Sequence, residues 1–190
     1  MADEATRRVC AMNDVDFEIR GEAAPFGSRE YAEVMDFVHH ELQLLDDGDY
    51  EPWLDLLADD LSYLMPVRIT RGRGKGSGFA DAGFYDDTKP MLVARVRRYL
   101  ESTAGWVEDP PSRTRRFITN VRVWRDGESD RYVRANYLIL RNRLDQPDYE
   151  MVSAERRDLL RTVGGSLKLL RRHVYCDQAL VGAQNLAFFV

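Results

Sequence analysis

The three histidines and two cysteines are the residues of this chain best suited to binding a redox metal. A mononuclear non-haem iron site needs two histidines and a carboxylate that converge on one face of the metal. His39 and His40 are neighbours in a predicted helix, so they point about 100° apart and cannot readily share one ion. A metal site that combines His173 with one of them stays open as an alternative. The simpler interpretation is that these histidines lie on a helix surface or at the edge of the core.

A Rieske cluster needs two cysteines and two histidines as paired ligands. Cys10 and Cys176 have no histidine in a Cys-x-His or Cys-x-x-His arrangement, and only His173 lies near, at the reverse spacing. This pattern excludes a Rieske site, and we expect no metal, cofactor or catalytic residue in this chain. Two cysteines are also too few for a disulfide framework, which favours a cytoplasmic protein with free thiols.

Two other segments could suggest phosphate or nucleic acid. The loop RGRGKGSG at residues 71–78 alternates its glycines, whereas a P-loop needs GxxxxGK followed by Ser or Thr, so we interpret it as a solvated loop. A basic cluster follows further on, and in a strand Arg116 and Arg122 would share one face with Arg115 on the other. The net charge of −5 argues against nucleic acid. Ion pairs, within the fold or across a subunit contact, explain the arginines better.

The last predicted strand carries residue types used in acid–base chemistry. Arg171, His173, Tyr175 and Asp177 alternate onto one face. His173 and Asp177 would lie roughly 13 Å apart, too far for a direct dyad. A curved sheet that presented this face inward could bind a small molecule, but contacts at a rim or a subunit surface are the favoured interpretation.

The chain has 190 residues, of which 44% are hydrophobic and 31% are charged. This length and composition predict one globular domain, whose helices and strands must position the residues named above. We expect an arm at residues 1–27 and a domain at 28–190. No apolar run reaches the roughly 20 residues of a membrane span, and the acidic N-terminus lacks the apolar region of a secretory signal.

The first half of the domain reads as helical. Ser28 is predicted to cap a helix that Asp46-Asp47-Gly48-Asp49 ends, and Asp49 to cap a second helix. A strand follows over residues 61–69, with Pro66 marking an edge or a bulge. A glycine-rich loop at 72–83 then leads to a helix that Asp86-Asp87-Thr88 opens and that runs to about Thr103.

The second half reads as strands. Their predicted ranges are Phe117–Trp124, Arg131–Leu144, Tyr149–Val163 and Leu167–Leu180, with hairpin turns at Asp126-Gly127-Glu128 and Gly164-Gly165. Short links between successive strands predict a strongly bent antiparallel meander. Helices packed on one face of it give an α+β fold.

Three parts of the sequence resemble the small (beta) subunits of aromatic-ring-hydroxylating dioxygenases. They are YEPWLDLLADDLSYLMPVRITR at Tyr50–Arg71, FYDDTKPMLVARVRRY at Phe84–Tyr99, and WVEDPPSRTRRFITNV at Trp106–Val121 taken with DQALVGAQNLAFFV at Asp177–Val190. Their order and spacing carry the resemblance. The glycine-rich insertion departs from the family, which leaves the role of that loop open.

The resemblance implies a cone fold, in which a strongly curved antiparallel sheet holds helices in its concavity, as in nuclear transport factor 2, ketosteroid isomerase and scytalone dehydratase. It implies a mainly structural subunit, in a hetero-hexamer of three alpha and three beta subunits with a beta trimer. The large alpha subunit would carry the Rieske cluster and mononuclear iron and form cis-dihydrodiols, with electrons from NAD(P)H through a reductase and often a ferredoxin. Biphenyl, benzene, naphthalene and alkylbenzenes all stay open as substrates.

A trimer-forming sheet face should bury apolar and aromatic area and hold the catalytic partners apart at a fixed spacing. The interface candidates are Trp53, Tyr63, Trp106, Arg113, Arg115, Arg116, Trp124, Phe188 and Phe189. For Trp53 and Tyr63, core packing is an equal alternative. An apolar chain end must dock on its own domain or on a neighbour, so deleting Ala187–Val190 should weaken assembly.

Two other hypotheses stay open. A free-standing cone-fold dehydratase or isomerase would show an open pocket with converging acid and base groups. A plain interaction module of the same fold would bind a different partner and have no link to oxygenase activity.

Overall fold

The computed structural model describes residues 17–70, 72, 78–101, 110–179 and 189–190. Within these residues, one seven-stranded sheet in the order β1-β4-β5-β6-β7-β2-β3 curves around three helices. All described neighbouring strands are antiparallel except β2 and β7, which are parallel. The elements are β1 Glu22–Ala24, α1 Arg29–Asp47, α2 Tyr50–Asp55, β2 Leu57–Ile69, β3 Gly78–Thr88, α3 Lys89–Glu101, β4 Arg113–Asp126, β5 Asp130–Asn142, β6 Glu150–Val163 and β7 Ser166–Cys176.

Helix α1 begins and ends where the sequence predicts. The Ser28 hydroxyl accepts a hydrogen bond from the Tyr31 N–H at 3.2 Å, which satisfies one of the free donors at the helix start. Gly48 ends the helix in the left-handed conformation at φ 78°, which costs glycine little. Asp49 precedes α2 as predicted, but its side chain makes no capping hydrogen bond.

Strand β3 is the largest difference from the predicted elements. Residues 78–83 were expected in a loop and Asp86-Asp87-Thr88 in a helix, but all lie in a strand that pairs with β2. Pairing overrides the poor strand propensity of this segment, because it buries Tyr85 and lets the buried Asp87 carboxylate pair with the half-exposed Arg95 at 2.6 Å. Pro66 does mark a bulge in β2, since the register shifts on both sides of it.

The meander β4–β7 follows the predicted turns. Gly127 has φ 62°, and Gly164 and Gly165 have φ 60° and 86°, the conformations of tight hairpin turns. Strand β5 buries the predicted alternate residues Val133, Ala135, Tyr137 and Ile139.

One prediction about β4 is wrong. Asn120 has φ 54° and sits at a register shift between Thr119 and Arg122. The extra residue inverts the alternation of the strand. Arg116 therefore points inward while Arg122 is exposed on the opposite side, with Arg115. The two residues expected to share a face do not.

The described part of the predicted arm lies against the domain. Its strand β1 pairs with β4 through Glu22, Ala23 and Ala24. Phe17 is buried on the outer face of the sheet, the face turned away from the helices, with Tyr132, Leu159 and Tyr175. None of the three described helices combines the length and apolar character that a membrane span requires.

Candidate functional site

The concave side of the sheet holds a buried network of four charged side chains. Helix α1 supplies Glu41, β6 supplies Arg156 and Asp158, and β7 supplies Arg172. The Arg172 guanidinium donates to both Glu41 oxygens at 2.7 and 2.8 Å and to both Asp158 oxygens at 2.8 Å. Arg156 reaches Glu41 at 3.1 Å and Asp158 at 3.1 Å. Two positive and two negative charges therefore balance in the interior.

The electrostatics of this network suit structure rather than acid–base work. Burial raises the pKa of Glu41, but the charges of Arg172 and Arg156 outweigh burial and lower it to about 2. A general base works best with a pKa near the operating pH, so this carboxylate is a poor base at pH 7. Burial also raises the pKa of Tyr63 to about 12, which keeps its phenol protonated.

Phe189 and Val190 lie next to this network, with the Val190 oxygen 3.4 Å from the Arg172 guanidinium. The Phe189 ring stacks on Trp53 with centroids 4.5 Å apart and meets Tyr50 edge-on. The Val190 N–H donates to the Tyr63 hydroxyl at 3.1 Å, and that hydroxyl donates to the Val190 main-chain oxygen. The Arg116 guanidinium donates to the Phe189 main-chain oxygen at 2.8 Å. Phe189 and Val190 are thus packed inside their own domain.

The histidines and cysteines occupy separate places. His39 and His40 are exposed on α1. His173 is buried on the outer face, where its ring lies 5.1 Å from that of Phe17 and its Nδ1 lies 3.3 Å from the Tyr175 hydroxyl. Cys176 is a buried free thiol, and Cys10 lies outside the described residues. Within the described part of the chain, no group of three or more His, Cys, Asp or Glu residues could hold a metal.

The predicted polar face of the last strand points away from the concavity. His173 and Tyr175 pack with Phe17, and the Arg171 guanidinium lies 6.0 Å from the Phe17 ring centroid. The neighbouring residues Val174 and Cys176 face the main core instead. The alternation of Arg171, His173 and Tyr175 was predicted correctly, whereas Asp177 lies just past the end of β7 and its carboxylate accepts from the Ser153 hydroxyl at 2.6 Å. These side chains do not converge on an inward pocket.

The structure divides the interface candidates into buried and exposed groups. Trp53 and Tyr63 are completely buried in the core of this chain. Arg116 is also buried and ion-pairs with Asp46 at 2.6 Å, which places one of the expected arginine ion pairs within the fold. Phe189 is buried as described above. Trp106 and Phe188 lie outside the described residues.

Three candidates keep solvent contact. Arg113 bonds Asn142 and the Leu144 carbonyl, and Arg115 has a side chain that is 74% exposed. Trp124 is half-buried beside the Phe17 cluster.

An apolar surface that the sequence analysis missed surrounds Arg115. On the outer face, Arg115 pairs with Leu140, and Leu140 pairs with Met151. Phe117 pairs with Leu138 one step along the same strands. Phe117 and Met151 are 48% and 52% exposed. We call this surface the outer patch, and define it as Arg115, Phe117, Leu138, Leu140 and Met151.

The charged network was also missed, although the sequence carries its signal. Arg156 and Asp158 fall in the same series of every second residue as Val152, Ala154 and Leu160, so they occupy inward positions of β6. Glu41 falls on the apolar stripe of α1 that contains Val34, Val38 and Leu45. Charged residues at core positions of neighbouring elements predict a buried ion network.

Fold and interior together define an α+β cone protein whose concave sheet face carries a buried, charge-balanced network covered by Phe189 and Val190. Over residues 40–183 the sequence matches the family of ring hydroxylating beta subunits. The chain belongs to this family.

Relatives and solved structures agree with that assignment. The chain is 34% identical over 178 residues to the biphenyl 2,3-dioxygenase subunit beta of Rhodococcus jostii, covering 90% of this chain and 94% of the relative. It is 35% identical over 173 residues to the benzene 1,2-dioxygenase subunit beta of Pseudomonas putida, covering 87% and 91%. A chain from a structure of naphthalene 1,2-dioxygenase with indole bound shares the fold, with a TM-score of 0.75, 24% identity, and coverage of 87% and 89%. The predicted cone fold is confirmed.

Proposed function

We propose that this chain is the non-catalytic structural subunit of an aromatic-ring-hydroxylating dioxygenase. The observation that carries the proposal, beside family membership, is the buried, charge-balanced network on the concave face of the sheet. Its charged groups neutralise each other, and Tyr63, Phe189 and Val190 pack over it. A dehydratase or isomerase of the same fold would need acid and base groups that face a substrate.

The partner in this proposal is a large alpha subunit that holds the Rieske cluster and the mononuclear iron. The described residues of this chain do not fit either group, because their histidines and carboxylates do not cluster with metal-ligand geometry. We propose three alpha and three beta subunits in the cytoplasm, with the beta subunits associated as a trimer and electrons supplied by NAD(P)H. The substrate class is an aromatic hydrocarbon, as the names of the relatives indicate.

The outer patch is the surface we propose for assembly. It combines exposed apolar side chains with the mostly exposed Arg115 guanidinium, a composition typical of interface cores. Arg113 and Trp124 extend the candidate surface to either side along β4. A rigid sheet face is well suited to setting the distance between catalytic partners, because its residues are fixed by the strand ladder.

The assembly test introduces charge into the outer patch. We expect the double variant Phe117→Asp, Met151→Asp, co-expressed with the large subunit, to lose the full-size assembly by native mass spectrometry. The matched control is Phe26→Asp, since Phe26 is 89% exposed but lies outside the patch. A double variant that still forms the full-size complex would contradict the assignment of this surface.

The proposal that the large subunit alone holds the iron and carries out the reaction is tested on the isolated chain. We expect the purified protein to retain no stoichiometric iron and to turn over no arene until the large subunit is added. Iron retained at one equivalent per chain, or turnover without a partner, would overturn the proposed function.

A further inference from the structure

The end of this chain is bound like a ligand. Phe189 and Val190 contact residues from α2, β2, β3, β4 and β7. The Phe189 ring meets other aromatic rings, whereas the main chain of the pair meets hydrogen-bonding groups. We call the surrounding surface the tail pocket, and define it as Tyr50, Trp53, Tyr63, Tyr85, Arg116 and Arg172.

One half of the tail pocket is an aromatic cage. The Phe189 ring stacks on Trp53 at 4.5 Å and an interplanar angle of 30°. Tyr50 meets it at 5.7 Å and 69°, and Tyr85 at 6.4 Å and 43°. Stacked and edge-on rings are both favourable arrangements, so three sides of the cage recognise an aryl group.

The other half recognises a peptide main chain. Arg116 donates to the Phe189 oxygen at 2.8 Å, and Arg172 lies 3.4 Å from the Val190 oxygen. The Tyr63 hydroxyl accepts from the Val190 N–H and donates to the Val190 oxygen. The two arginines have positions fixed elsewhere, Arg116 by Asp46 at 2.6 Å and Arg172 by Glu41 and Asp158. The site is therefore organised largely by contacts outside the tail.

We propose that the tail pocket is a peptide-binding site for an aromatic–aliphatic pair, filled in this protein by its own Phe189 and Val190. The chain end acts as a tethered ligand that excludes others. When the tail is removed, a free peptide of the same chemistry binds in its place, with its aryl group on Trp53 and its main-chain oxygens on Arg116 and Arg172.

The test uses a chain that lacks residues 188–190, so that neither phenylalanine of the tail can fill the pocket. The probe is N-acetyl-Phe-Val, titrated by calorimetry, and the control peptide is N-acetyl-Ala-Val. We expect saturable one-to-one binding of the first and binding weaker by roughly tenfold or more for the second, because the stacked ring is lost. The chain that keeps residues 188–190 should bind neither peptide. Equal binding of both peptides, no binding to the shortened chain, or equal binding by the chain that keeps residues 188–190 would each overturn the proposal.

A second variant covers the case in which the shortened chain does not fold. Phe189→Ala in the full-length chain empties only the aromatic cage, and toluene is the probe because a dry apolar cavity can bind such a molecule. We expect toluene to raise the thermal midpoint of this variant and to leave Phe26→Ala unchanged, since Phe26 is an exposed residue. A Phe189→Ala chain whose midpoint does not respond to toluene would overturn the proposal.

Discussion

Replacing Glu41 by glutamine should destabilise this protein more than any surface charge change. The substitution keeps the shape of the side chain but removes the charge that accepts three guanidinium contacts at 2.7–3.1 Å and the Trp53 indole N–H at 3.3 Å. Arg156 and Arg172 would then face Asp158 alone, with one positive charge uncompensated in the interior. Breaking a buried pair in this way costs about 3–5 kcal/mol.

For a chain of this length, 1 kcal/mol corresponds to roughly 2–4 °C in thermal midpoint, so we expect a fall of roughly 6–20 °C. Calorimetry and urea unfolding should report the same loss of stability. In urea the midpoint concentration should fall, while the slope of unfolding free energy against urea concentration stays unchanged. The control is Glu33→Gln, which removes the exposed pair with Arg29 at 2.7 Å. That pair lies at the surface, where solvent screens it, so Glu33→Gln should leave the thermal midpoint close to that of the parent. A Glu41→Gln variant within about 1 kcal/mol of the parent would refute the reasoning.

The same residue makes the stability depend on acid. The pKa of Glu41 is about 2 in the folded chain and 4.5 for an ordinary glutamate, so its contribution is complete above about pH 4.5. That contribution is lost as the pH falls from about 4.5 towards 2. In urea titrations over this range, Glu41→Gln should show a shallower decline in unfolding free energy than the parent, and equal slopes would contradict the assignment.

Three further outcomes are expected. Burial raises the pKa of Tyr63 to about 12, so its contribution to the free energy of unfolding is complete below pH 10 and is lost as the pH rises from 10 to 12. Tyr63→Phe should lower the free energy of unfolding by about 1 kcal/mol and make its decline above pH 10 shallower in urea titrations. An unchanged decline would contradict this prediction. Gly21→Ala should lower the thermal midpoint more than Gly27→Ala, because both have positive φ but only at Gly21 would a Cβ meet the Arg125 carbonyl oxygen at 2.2 Å; equal midpoints would argue against the close approach. Deleting Ala187–Val190 should lower the midpoint of the isolated chain as well as weaken assembly, since Phe189 and Val190 are buried in their own domain, and a midpoint unchanged in calorimetry would contradict that docking.

Local signals in the sequence predicted much of the fold. The Ser28 cap, the glycine turns of the meander and the alternation in β5 depend on residues close together in the chain, and all three are confirmed. Strand β3 was missed because its glycines and aspartates oppose strand formation. It forms because β2 offers a partner, and sequence patterns do not show that partner.

The site was harder to predict because small local changes have large effects on side-chain direction. One left-handed residue, Asn120, reverses the faces of β4, so the expected grouping of Arg116 with Arg122 fails. For Trp53, the choice between core packing and an interface was left open for a different reason. An aromatic residue near a predicted helix start gives no indication that the end of the chain will stack on it.

The wide sequence separation of the interior contacts has a consequence for biosynthesis. Glu41 meets Arg172 across 131 residues, and Tyr63 meets Val190 across 127. While the polypeptide emerges from the ribosome, α1 and β2 must wait until β7 and Val190 have been synthesised before their buried charges and rings are covered. Contacts of such long range also slow folding after release. A complex that recruits this subunit during translation would therefore meet an open cone, whereas recruitment after release would meet a closed one.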